Sequence, residues 1–222
     1  MAPNILFVTD SRGRGLDVYL NNIRPHVPFT FKFVLRPGAK LSELRSIIED
    51  EHSSDTYYDV TFVLGGINDI TTRREYYSRN HRGERHKEVI HANTSWDQLV
   101  SRVSAFNHLS NVKLCTIAPA LLIDLQKHYI RQNKLNFTRY TEEETKEQQK
   151  LLEKDVHFLN RIINNYNHER GFRGGHLEKL FLKEKFKNGV KIRSYFVYGK
   201  KNQHGDYITK YLYDGIHADT GP

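Results

Sequence analysis

Short apolar runs rich in β-branched and aromatic residues recur along the chain, with amphipathic helical patterns between them. The runs are Ile5–Val8, Phe31–Leu35, Val60–Leu64, Val112–Ala118 and Ile192–Tyr198. Continuous runs of this length are typical of strands that are buried on both faces of a parallel sheet. Their alternation with helices predicts an α/β fold, a doubly wound three-layer α/β/α sandwich with a mainly parallel, five-stranded sheet.

Three segments have apolar residues at helical spacing. A Ser or Thr followed three residues later by Gln or Glu forms a capping box at Ser95 and at Thr141. The longest helix is predicted from Thr141 to Arg170, with Gly171 as its stop. The three apolar stripes, which are predicted to face the core, are Leu41, Leu44 and Ile48; Trp96, Leu99, Val103 and Phe106; and Leu152, Val156, Leu159, Ile163 and Tyr166.

Length and composition predict one globular domain over residues 1–222. With 38% hydrophobic residues the chain can bury a sizeable core, and it has no apolar run long enough to span a membrane. The single cysteine, Cys115, lies in an apolar run and is predicted to be a buried strand residue. Polar stretches near 70–95 and 120–190 are expected to be excursions from the core. Because the first strand directly follows the initiator Met, we expect no signal peptide and an intracellular, cytoplasmic location.

Three polar patches together contain the groups of a hydrolytic site. Val8-Thr9-Asp10-Ser11 ends the first apolar run, Gly66-Ile67-Asn68-Asp69 ends the third, and Asp214-Gly215-Ile216-His217 lies near the C-terminus. Ser-His-Asp catalysis needs a hydroxyl nucleophile, an imidazole base and a carboxylate that orients the base, and acyl transfer also needs donors for the oxyanion. Ligands of open α/β sheets bind beyond the carboxyl ends of the strands. Ser11, Gly38 and Asn68 each come just past a predicted strand and are therefore expected at one edge of the sheet, and His217 must return to that edge.

The order of these patches resembles that of the SGNH hydrolase family, also called GDSL-like esterases, over almost the whole chain. In that family a Ser follows the first strand, a Gly the second and Gly-x-Asn-Asp the third, and Asp-x-x-His lies near the end. The resemblance implies a flavodoxin-like fold with Ser11 as the nucleophile, His217 as the general base and then acid, and Asp214 as its orienting carboxylate. It assigns the oxyanion hole to Ser11, Gly38 and Asn68. It implies hydrolysis of an ester, such as a small O-acyl group, through an acyl-serine intermediate, with no cofactor and no metal.

One position departs from the family's pattern, because Thr9 stands where the family usually has Gly. A β-branched residue fits the end of a strand but does not readily take positive φ, so the turn that presents Ser11 is expected to differ in shape. For Ser11 itself the competing interpretation is an N-cap of a helix that begins near Arg12. Asp10 and Asp69 are expected to brace their turns through hydrogen bonds.

The distribution of charge supports a second hypothesis. Of a formal net charge of +8, most lies in the segment from Glu178 to Lys210, where nine lysines and arginines stand against three acidic residues. Aromatic residues alternate with these cations, as they do in proteins that bind single-stranded nucleic acid. A hydrolase-like domain with little or no activity that binds nucleic acid through Lys179–Lys210, or binds another protein, is therefore the alternative function.

Histidines raise the question of a metal site. His81, His86 and His91 are spaced five residues apart, which matches no common pattern of metal ligands, and we interpret them as solvated. The sequence also has no pair of cysteines.

Overall fold

A four-stranded parallel sheet forms the centre of the fold. The structure is a computed structural model, and it describes residues 2–23, 28–54, 56–77, 85–117, 120–122, 141–172, 182–187, 190–196, 200–201 and 207–208. In chain order its elements are β1 (Asn4–Thr9), a 3₁₀ turn (Ser11–Gly13), α1 (Leu16–Ile23), β2 (Thr30–Leu35), α2 (Leu41–His52), β3 (Val60–Leu64), α3 (Ile67–Ile70), β4 (Thr71–Tyr77), β5 (Arg85–His91), α4 (Trp96–Ser104), β6 (Val112–Leu114), α5 (Glu142–Glu169), β7 (Leu182–Lys187), β8 (Val190–Phe196), β9 (Lys200–Lys201) and β10 (Tyr207–Ile208).

The strand order in the sheet is β2-β1-β3-β6. β2 therefore lies on one side of β1, and β3 and β6 lie on the other. Right-handed crossovers in opposite directions place their helices on opposite faces, which assigns α1 to one face and α2 and α4 to the other. This is the flavodoxin-like arrangement, and its topological switch point lies between β1 and β3. The predicted α/β/α fold with a mainly parallel sheet is confirmed.

The predicted apolar stripes form the core on one face of the sheet. The stripes of α2 and α5 are buried, and they pack in one cluster with Leu6 and Val8 of β1. In the stripe of α4, Trp96 is the exception, because it is 40% exposed and stacks on Phe158 of α5. On the opposite face, the ring of Phe7 stacks on that of Phe62 with centroids 5.4 Å apart.

The outer edge of β6 is covered by side chains of α5. The Asn167 amide accepts from the backbone N–H of Leu114 and donates to its carbonyl, at 3.1 and 2.7 Å. Asn160 makes the same pair of bonds to Ile117, at 2.7 and 2.9 Å. The hydroxyl of Tyr166 donates to the carbonyl of Val112. These side chains satisfy the backbone groups that a further strand would otherwise bond, so the described sheet ends at β6.

The prediction of a fifth strand in this sheet is therefore wrong for the described residues. The run Ile192–Tyr198 lies largely in β8, which pairs antiparallel with β7 in a separate two-stranded sheet. A run of β-branched and aromatic residues fits either kind of sheet, and only the pairing partner distinguishes them. The side chains of this hairpin, and those of the basic cluster Lys179–Lys210 as a whole, lie outside the described residues.

The first polar excursion begins and ends as an antiparallel hairpin. Strands β4 and β5 pair from Thr71 opposite His91 outward to Tyr77 opposite Arg85. His91 is not solvated as predicted, because its side chain is only 9% exposed and its Nε2 lies 2.8 Å from a carboxylate oxygen of Asp155 on α5. Across the described residues, no helix has the length and apolar character needed to cross a membrane.

Candidate functional site

The parallel register brings three turns to the same edge of the sheet. Thr9 pairs with Leu35 of β2 and with Leu64 of β3, so the chain leaves all three strands at the same level. The turns are joined by backbone hydrogen bonds, from Asp10 N–H to the carbonyl of Leu64 at 3.0 Å and from Arg36 N–H to the carbonyl of Thr9 at 2.8 Å. Ser11, Gly38 and Asn68 follow directly after these strand ends, as the strand pattern predicted.

Ser11 begins a single 3₁₀ turn, and the N-cap of this turn is Asp10. The Asp10 carboxylate accepts from the backbone N–H of Arg12 at 2.9 Å, which is the bond that an N-cap side chain makes. The competing interpretation of Ser11 as an N-cap is therefore wrong, and the helix expected near Arg12 begins later, at Leu16. Ser11 is 8% exposed, and within the described residues its hydroxyl makes no side-chain hydrogen bond. The hydroxyl is thus not committed to bracing its own turn.

Thr9 is accommodated without a left-handed backbone. Among the described non-glycine residues only Asn111 has a positive φ, so the position of Thr9 does not require glycine. Its side chain instead lies against Gly13, where an added Cβ would come within 2.3 Å of the Thr9 Oγ1, 2.4 Å of Cγ2 and 2.8 Å of Cβ. The bulk added at Thr9 is therefore matched by the absence of a side chain at Gly13.

Gly38 occupies the turn between β2 and α2, in a conformation that favours glycine. Its φ is +79°, and the turn is closed by a hydrogen bond from the N–H of Ala39 to the carbonyl of Arg36 at 3.1 Å. A Cβ at Gly38 would meet no atom within 4 Å. The backbone of this turn is therefore approachable from outside the fold.

Asn68 connects the other two turns. It lies in α3, which follows Gly66 with its φ of +116°. The Asn68 Nδ2 donates to Oδ2 of Asp10 and to the carbonyl of Ala39, both at 3.1 Å. An amide nitrogen carries two N–H groups, so this one side chain ties the Ser11 turn to the Gly38 turn.

Asp69, the next residue in α3, bonds the start of α2 and the side chain of Arg102. Its carboxylate is buried, and accepts from the backbone N–H of Leu41 and from the Arg102 guanidinium, both at 2.9 Å. Burial raises the pKa of Asp69, although the Leu41 N–H and the Arg102 charge oppose that rise. Asp10 and Asp69 thus have the bracing roles that were expected. Arg102 was not predicted, because nothing in its helical spacing distinguishes it from a solvated arginine.

Two of the predicted site residues, Asp214 and His217, lie outside the described residues. Their assignment to a triad with Ser11 therefore stays a prediction. Within the described ranges, no group of three histidine, cysteine, aspartate or glutamate side chains is arranged to hold a metal ion.

Comparisons with known proteins returned matches among solved structures alone. No protein-family model and no curated protein matches the sequence. An acetyl xylan esterase is similar in structure, with a TM-score of 0.48 and 16% identity over 79% of this chain and 78% of that one. An SGNH-hydrolase family esterase is similar with a TM-score of 0.36 and 14% identity, over 71% of this chain and 96% of that one.

Proposed function

We propose that this protein is a serine esterase that hydrolyses its substrate through an acyl-Ser11 intermediate. The observation that carries the proposal is the convergence of Ser11, Gly38 and Asn68 at the switch point between β1 and β3, with Asn68 hydrogen-bonded to both neighbouring turns. Switch points are where open α/β sheets bind ligands. Because Asp10 is the N-cap of the 3₁₀ turn, helix capping does not explain the serine at position 11.

In the proposed reaction, the Ser11 Oγ attacks the ester carbonyl carbon while its proton passes to Nε2 of His217. Asp214 accepts from Nδ1 of His217 and so holds the ring in the tautomer that can accept this proton. Collapse of the tetrahedral intermediate breaks the ester C–O bond, and the proton on His217 goes to the leaving alkoxide. Water then attacks the acyl-Ser11 by the reverse sequence of proton transfers, which releases the carboxylic acid and regenerates the hydroxyl.

The negative charge of the tetrahedral intermediate would be held by the backbone N–H groups of Ser11 and Gly38 and by the amide of Asn68. One N–H of Asn68 is directed to the Asp10 carboxylate, and the other to the neutral carbonyl of Ala39. A charged oxyanion is a stronger acceptor than a neutral carbonyl, so the second N–H is the one that would exchange the carbonyl of Ala39 for the oxyanion while the first stays on Asp10. Loss of one oxyanion-hole donor costs roughly 2.7–4 kcal/mol in a serine protease.

The resemblance of the sequence patches supports an ester as substrate, and we propose an ester of a small acyl group such as acetyl. The test is hydrolysis of p-nitrophenyl acetate by the purified chain, compared with that by Ser11→Ala. Ser11→Ala should abolish nearly all turnover and leave the melting temperature close to that of the wild type. Ser46→Ala is the matched control, because Ser46 lies exposed on α2 and its hydroxyl bonds the carbonyl of Ser42 one turn away. Wild-type turnover in Ser11→Ala would refute the assignment of the nucleophile.

A further inference from the structure

We propose that Asp10 is a positioning residue that fixes the Asn68 amide in the orientation needed to bind the oxyanion. This inference rests on the proposed esterase function. It assigns a role in the reaction to a carboxylate that the triad and the oxyanion hole do not use.

The two oxygens of the Asp10 carboxylate bond two different turns. Oδ1 accepts from the backbone N–H of Arg12 in the Ser11 turn at 2.9 Å, and Oδ2 accepts from Nδ2 of Asn68 at 3.1 Å. The side chain is fully buried, and the backbone N–H of Asp10 bonds the end of β3. The carboxylate is thereby fixed relative to the sheet, and the turn that carries the nucleophile and the amide that would hold the oxyanion share one acceptor.

The chemistry of this contact favours a role in catalysis. The terminal torsion of an asparagine side chain is broad, so an unanchored amide samples many orientations. The buried Asp10 carboxylate accepts one N–H of Asn68 and so restricts that torsion, while the other N–H bonds the carbonyl of Ala39, the acceptor that the oxyanion would replace. An oxyanion donor that is already oriented costs no reorganisation when charge develops in the transition state. Asp10 would therefore act on the rate through Asn68, without touching the substrate.

A carboxylate that only stabilises the fold would make the same bonds, so the test measures whether the effects of Asp10 and Asn68 on kcat are coupled. The variants are Asp10→Asn, Asn68→Ala and the double variant, each assayed with p-nitrophenyl acetate. Asp10→Asn is nearly isosteric and should lower kcat about 10- to 100-fold with little change in KM, since a misplaced catalytic group loses rate on that order. In the Asn68→Ala background the same change should lower kcat by less than about threefold, because the group through which it acts is already gone.

Asp155→Asn is the matched control for loss of a buried carboxylate. Asp155 is 6% exposed and accepts from Trp96 and pairs with His91, neither of which is assigned to the site. It should lower the melting temperature and leave kcat unchanged. Equal losses of kcat from Asp10→Asn in both backgrounds, or wild-type kcat in Asp10→Asn, would overturn the proposal.

A second measurement applies even if Asp10→Asn does not fold. The side-chain amide protons of Asn68, assigned by their loss in Asn68→Ala, should exchange with solvent at least about tenfold more slowly in the wild type than those of the exposed Asn22. Exchange as fast as that of Asn22 would overturn the anchoring by Asp10. A wild-type protein without ester turnover contradicts the proposed function, whereas turnover with uncoupled effects of Asp10 and Asn68 contradicts only the role of Asp10.

Discussion

The packing of Thr9 against Gly13 predicts that Gly13→Ala destabilises the fold when residue 9 is Thr and stabilises it when residue 9 is Gly. A Cβ at Gly13 would lie 2.3–2.8 Å from three atoms of the Thr9 side chain, including its Cβ, so a rotation of Thr9 cannot clear the clash. Overpacking of this kind costs about 1–3 kcal/mol. Since a domain of this size loses roughly 2–4 °C per kcal/mol, the melting temperature should fall by about 2–12 °C.

In the Thr9→Gly background the clashing atoms are absent. Gly13 does not have a positive φ, so alanine fits its backbone there. Gly13→Ala should then stabilise the fold by about 0.4–1 kcal/mol, because it reduces the entropy of the unfolded chain. Urea unfolding followed by the fluorescence of Trp96, the single tryptophan, gives both free energies. Thr9→Gly has its own cost of about 1 kcal/mol, which the thermodynamic cycle removes.

Gly171→Ala is the control for a glycine substitution without a clash. Gly171 has a φ of +73° and no atom within 4 Å of an added Cβ, so its cost of roughly 1–2 kcal/mol comes from backbone strain alone. That cost should be the same with Thr9 or with glycine at position 9. If Gly13→Ala also costs the same in both backgrounds, Thr9 is not what limits position 13, and the reasoning is refuted.

Three further predictions follow from other parts of the fold. Asn167→Leu leaves the N–H and carbonyl of Leu114 unpaired, so urea unfolding should show a loss of unfolding free energy of about 1–3 kcal/mol for each group. A loss under about 0.5 kcal/mol would contradict the role of α5 in covering the edge of β6. Arg102→Gln should raise the pKa of Asp69 further above its ordinary value of 3.8. A carboxyl whose pKa is higher in the folded than in the unfolded state makes the protein less stable as pH rises above 3.8, so the variant should lose about 3 kcal/mol of unfolding free energy near pH 7 and less near pH 4. Equal losses at the two pH values would contradict the ion pair between Arg102 and Asp69. Cys115 directly follows β6 and is partly exposed, so the prediction of a buried strand residue is wrong, but desolvation still raises the pKa of its thiol to about 11. Near pH 8 it should therefore react with a thiol reagent much more slowly than a free cysteine, and modification as fast as that of a free cysteine would contradict this.

The sequence predicts well what depends on local periodicity. The three strands before the site and the stripes of α2 and α5 are recognisable because burial on one face imposes a repeat on the residues. The grouping of Ser11, Gly38 and Asn68 was also predictable, since parallel strands end at one edge. Their common placement required only the strand assignments, without any knowledge of side-chain contacts.

What could not be predicted depends on partners distant in the sequence. Asn160 and Asn167 look like solvated helix residues, but they bond backbone groups that lie 43 and 53 residues earlier. His91 looked solvated for the same reason, because its partner Asp155 lies 64 residues away. The apolar run at Ile192 predicts a strand correctly, but no local pattern specifies the sheet in which that strand pairs.

The central claim, that Ser11 is an activated nucleophile, is tested most directly by covalent labelling with a fluorophosphonate. The account predicts one adduct per chain, located on the peptide that contains Ser11, together with loss of ester turnover in proportion to labelling. His217→Ala should slow the labelling strongly and Ser46→Ala should not change it. A wild-type protein that hydrolyses the ester while Ser11 remains unmodified would contradict the account.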